Sequence, residues 1–166
     1  APGECAPPEL PDETTLAMGR FEVGEAPTLA GGAPVDGVYR LSDLAFWMAS
    51  PDLPVGRLDQ ERSGLLGRGW LIIEEGAVTL DLDAQTYLIS DSGFEISREN
   101  EISFSGAWSP GMSPAEVQSD CPGMGMQTVA YEVTDEVITL GFEVTVAGVP
   151  IFPRYSFARV ELSGDP

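Results

Sequence analysis

The stretch from Gln127 to Leu162 decides the fold: QTVAYEV (127–133), TDE (134–136), VITLGFEVTV (137–146), a short loop, and RYSFARVEL (154–162). Val129, Tyr131 and Val133 alternate with Thr128, Glu132 and Thr134, and Ile138, Leu140, Phe142 and Val144 alternate with Thr139, Gly141, Glu143 and Thr145. A strand turns successive side chains to opposite faces, so this period of two predicts half-buried strands. The break at Thr134-Asp135-Glu136 suits an antiparallel hairpin, and the third run must pair in the same sheet.

Working outward, the same pattern predicts strands over Gly37 to Met48, Arg68 to Glu75, Ala77 to Asp83, Phe94 to Glu99 and Glu101 to Ala107. Thr86 to Ser90 either continues the third of these past a bulge or stands alone. Tight turns are predicted about Gly76, Asn100 and Asp135. Ala49 to Gly67 is a long connection in which Leu58, Leu65 and Leu66 suggest one or two helical turns. Residues 1–34 hold six prolines and Gly31-Gly32, which excludes a long helix or a central strand. They are read as an N-terminal arm, with Leu16 to Val23 as an edge strand or packed segment, ahead of a barrel domain over residues 35–166.

The count is eight strands with no long helix. This predicts an all-β fold, an eight-stranded antiparallel up-and-down barrel, with a two-sheet sandwich as the alternative. Connection length favours the barrel: in a meander alternate connections share an end, so the tight turns close one end and the longer loops ring an open mouth.

Composition removes whole classes of chemistry. The chain of 166 residues has a formal charge of −19, its eight basic residues are all Arg, and it has no His. Such a surface repels nucleic acid and anionic lipid. Without His or Lys there is no Ser-His-Asp arrangement, no His-ligated zinc, no Schiff base and no P-loop. No apolar run is long enough for a membrane helix, and the absence of an initiating Met reads as an exported, trimmed product, secreted or periplasmic. Cys5 and Cys121 lack metal-ligand spacing, and export favours a disulfide between them. Lipidation of Cys5 is the rival reading, although Pro2-Gly3-Glu4 lacks the small apolar residues of a lipobox. Asp81 and Asp83 alternate with Val78, Leu80 and Leu82 as the wet face of a strand, and DLDAQTYLISDS lacks the Gly and final Glu of a calcium loop. No cofactor and no metal are expected.

Gly37-Val38-Tyr39 and Arg159 in SFARVEL resemble a signature of the lipocalin-like barrels of the calycin group. That family carries Gly-x-Trp at the start of its first strand and an Arg on its last strand packed across the aromatic ring. Here Tyr39 stands in place of Trp, a C-terminal helix is missing, and the proline-rich arm is additional. The resemblance implies a monomeric cup for a small, mostly apolar molecule, with Gly37, Tyr39 and Arg159 at its base. Trp47, Trp108, Met112, Met124 and Met126 are placed at the mouth. If Tyr39 points inward, parity carries Asp43 and Trp47 inward with it unless a bulge intervenes. Asp43, Tyr131, Tyr155 and Phe157 then line the cup. Two other functions stay open: a secreted interaction module or inhibitor, and a barrel isomerase or hydratase working through Asp43 or a Tyr.

Overall fold

The computed structural model describes residues 16–109, 113–121, 123–146 and 148–161. These residues contain twelve strands and no helix. Eight strands form the ring: β2 (Gly37–Met48), β5 (Gly64–Glu74), β6 (Ala77–Ile89), β7 (Glu95–Ser109), β8 (Ala115–Cys121), β9 (Gly125–Thr134), β10 (Val137–Gly141) and β12 (Val149–Val160). Each is antiparallel to the next, and β12 pairs back onto β2. The sheet therefore returns on itself as a barrel, with two short strands, β3 (Asp52–Leu53) and β4 (Gly56–Arg57), forming a hairpin in the first long connection. β11 (Val144–Val146) folds back on the start of β12.

The pairings are heavily staggered. The positions matched to Gly37 run through Ile73, Val78, Gly106 and Ser119 to Gly125. Further down β9, Ala130 is matched through Gly141 and Arg154 to Ala45, not to Gly37. A stagger of this kind tilts the strands and sets the barrel's width.

Two of the three predicted tight turns are present. Glu75 and Gly76 both take positive φ (49° and 79°), the geometry of a two-residue hairpin loop, and Asp135 (54°) begins the other. Both lie at the end where β2 begins and β12 finishes, here called the base. The predicted turn about Asn100 does not exist. β7 runs unbroken through it, with Asn100 opposite Ala84 of β6. β8 lies between Trp108 and Met126, where no strand is predicted, and with β1, β3, β4 and β11 the described residues hold twelve strands in place of the expected eight. The connection of residues 49–63 carries the β3–β4 hairpin and turns instead of helical turns.

The segment preceding the ring is part of the sheet. β1 (Ala17–Val23) enters between β2 and β5, parallel to the upper half of β2 and antiparallel to the start of β5. Gly19 makes this fit possible: a Cβ there would lie 2.5 Å from the Leu44 carbonyl oxygen. Residues 24–30 then cross the outside of the barrel toward the base, and residues 31–36 run under it. Arg154 Nη2 of β12 donates to the Pro27 carbonyl, Leu29 lies on Gly141 of β10, and Ala30 N donates to Glu132 of β9. Gly31 bridges to Glu132 on the same strand. Residues 1–15 lie outside the described residues.

Inside the ring, Tyr39, Phe46, Tyr131, Tyr155 and Phe157 are all almost fully buried with Leu44, Met48, Leu71, Leu80, Leu88, Ile138 and Leu140. Phe21, Phe46, Tyr155 and Phe142 form a chain of edge-to-face contacts with centroids about 6 Å apart. Such pairs add to the burial of large apolar area, and together they hold β1, β2, β12 and the segment after β10 in one core.

Candidate functional site

The base is the most tightly specified part of the molecule. Tyr39 is matched directly with Arg159 across β2 and β12. Gly37 lets the Arg159 side chain lie close: a Cβ there would lie 2.8 Å from Arg159 Nε and push that side chain aside. Arg159 Nη2 donates to the Asp36 carbonyl, and Asp36 Oδ2 accepts from Glu75 N in the neighbouring turn. The Tyr39 hydroxyl donates to the Val35 carbonyl and the Tyr131 hydroxyl to the Gly32 carbonyl, each at 2.6 Å. Both phenols thus bury their rings and satisfy their hydroxyls on the returning segment. Burial raises the Tyr39 phenol above its ordinary pKa, an effect that nearby Arg159 partly offsets. Desolvation also raises Tyr155.

The residues expected to ring a mouth do not converge. A register shift where β12 passes β2 places Ser156 opposite Asp43 but Phe157 opposite Leu41, which leaves Ser42 as an extra residue. Parity reverses at this bulge. Leu44, Phe46 and Met48 face the core, while Asp43 faces out and pairs with Arg20 of β1 at 3.2 Å. Trp47 also faces outward, beside Gly24. Trp108 lies at the base, not the mouth, because Trp108 N donates to the Gly76 carbonyl. Its ring is buried against Tyr131, with centroids 5.2 Å apart. Met124 and Met126 are exposed at the β8–β9 connection, and Met112 lies outside the described residues. Tyr131, Tyr155 and Phe157 do point inward, but as packed core. Cys121 ends β8 and is not a free thiol; Cys5 lies outside the described residues.

A concave site lies on the outer wall near the upper end. It is a groove of about 520 Å³ between residues 24–28 of the crossing segment and the wall formed by Ala49, Phe152 and Arg154. The proline of Ala26-Pro27-Thr28 forms one side, and Phe152 and Ala49 form the apolar floor. Arg154 is held flat over Gly141, its Nη1 and Nη2 donating to the Pro153 and Pro27 carbonyls at 3.1 Å each. Its Nε is buried with no acceptor. Desolvation lowers its pKa from the usual guanidinium value. Local composition does not mark this groove. The available signal was an Arg beside Phe152 on the outward parity of the last strand, in a chain whose proline-rich segment must cross some surface.

The carboxylates of Asp83, Glu99 and Glu101 approach within 4.8 Å of one another on the outer face of β6 and β7. Asp83 sits 3.7 Å from Arg68, and the negative field of Asp83 raises the Glu99 pKa. Hard oxygen donors of this kind could hold a divalent cation, but two of the three are exposed and Arg68 already supplies positive charge.

Comparison of the chain with protein-family models, with curated proteins and with solved structures finds no match in any of the three. No helix among the described residues is long and apolar enough to cross a membrane.

Proposed function

We propose that this protein is an exported barrel that binds a small, mostly apolar molecule, and that the ligand sits in the groove beneath residues 24–28, at the outer rim of the open end. The observation that carries this reading is the groove itself: about 520 Å³ with Phe152, Ala49 and Pro27 on its walls, within the size range of small-molecule sites. The edge-to-face chain through Phe46 and Tyr155 favours the outer groove over the barrel interior. The base geometry of Gly37, Tyr39 and Arg159 supports the lipocalin-like resemblance, and export goes with a Cys5–Cys121 bridge. Intact mass before and after reduction and alkylation tests the bridge.

Octanol serves as a neutral apolar probe of the groove. Titration should shift the emission of Trp47, which lies beside Gly24, and Ala49→Phe should abolish the response while leaving the fold intact. No binding to the native chain, or binding unaffected by Ala49→Phe, sinks the reading. A second reading, an interaction module, is favoured by one feature. Among the described residues β8 covers β7 only from Ser105 to Ser109, and the edge from Glu95 to Ile102 has no strand neighbour on that side among them, which suits strand addition by a partner.

A further inference from the structure

Arg20, Arg62, Arg68 and Arg159 each pair with a carboxylate, whereas Arg57, Arg98 and Arg154 have no such pair among the described residues, and of these three only Arg154 is partly buried. Two of its five N–H groups reach backbone carbonyls, and the buried Nε–H has no acceptor. A partly buried charge with an unsatisfied donor is stabilised when an acceptor reaches its exposed N–H groups. This one borders an apolar groove that opens to solvent.

We propose that the groove's ligand is a small amphipathic monocarboxylate, its apolar body against Phe152, Ala49 and Pro27 and its carboxylate accepting hydrogen bonds from the Arg154 guanidinium. This inference rests on the groove being the ligand site. The planar guanidinium matches the two oxygens of a carboxylate. A dianion such as a phosphate monoester is disfavoured, because among the described residues one cation faces the groove. Glu25 stands on the rim, and the chain as a whole carries −19.

Calorimetric titration of the full chain with octanoate and with octanol separates the apolar contribution from the charged one. The native protein should bind octanoate about tenfold tighter than octanol, the scale of one hydrogen-bonded charge pair. Arg154→Gln should bind octanoate and octanol alike. Glu25→Gln, an exposed change that does not threaten folding, should tighten octanoate by roughly two- to threefold and leave octanol alone, the scale of a surface charge interaction; this variant decides the matter if Arg154→Gln fails to fold. Equal binding of octanoate and octanol by the native chain, with no effect of Glu25→Gln, overturns the carboxylate and leaves the apolar groove standing. Failure of both probes overturns the groove reading and this inference with it.

Discussion

The base of the barrel and its upper wall are built on different terms. At the base every large group has a defined neighbour: Arg159 over Gly37, the Tyr39 hydroxyl on Val35, the Tyr131 hydroxyl on Gly32, and Trp108 against Tyr131. At the upper wall the strands part, β1 is admitted between β2 and β5, β7 extends past its neighbour, and residues 24–28 stand off the surface to leave a groove. The base satisfies both tyrosine hydroxyls inside the core while leaving Trp108 Nε1 buried without a partner among the described residues, and the upper wall leaves a groove beside Arg154.

Substitutions at the two ends should separate these roles. Tyr131→Ala, which removes a fully buried ring and its hydrogen bond, should lower unfolding free energy by about 3–5 kcal/mol. Phe152→Ala on the half-buried groove floor should cost about 1 kcal/mol or less, and urea denaturation of both gives the contrast directly. Equal losses would break the comparison. Gly37→Ala pushes the Arg159 side chain aside and should cost about 1 kcal/mol, with the Tyr39 phenol titrating higher once Arg159 is displaced. Tyr131→Phe keeps the ring but strips the donor from the Gly32 carbonyl, and should cost about 1–2 kcal/mol.

The smallest effect belongs to the outer face of the β6–β7 hairpin. Asp83 raises the Glu99 pKa in the folded chain, so the folded state holds that proton more tightly than the unfolded one. The contribution is fully favourable below the unfolded carboxylate value and is lost as pH rises through the raised folded value. Glu99→Gln should therefore flatten thermal stability against pH across the acidic range and raise the midpoint slightly at neutral pH. A steeper profile in the variant would show that Asp83 and Glu99 do not interact.

The sequence carried the base well and the upper wall poorly, for physical reasons. Tyr39 and Arg159 were legible because strand parity and the positions of Gly76 and Asp135 place both at one end. Arg98-Glu99-Asn100 reads as a turn because it is polar, but among the described residues no strand covers the far edge of this part of β7, so polarity there reflects exposure. β8 alternates Ala115, Val117 and Ser119 inward with Glu116, Gln118 and Asp120 outward. That pattern is obscured by flanking Gly, Pro and Met. Asp43 was misplaced because a one-residue bulge reverses parity without any signature in local composition. The groove could not be read at all, since it depends on a segment over a hundred residues away in sequence crossing β12.

That crossing also constrains the order in which the chain assembles. The β5–β6 and β6–β7 pairings join neighbours in sequence and can form early as a meander, whereas β2 meets β12 only by bringing Val38 to Val160. Residues 24–36 cannot settle across β12, β10 and β9 until those strands are in place. Ring closure and the laying down of this segment are therefore late, long-range events, and loop closure over such separations makes all-β folding slow. The groove would be the last feature to appear, so a partly folded chain would show strand signal before it could bind octanol.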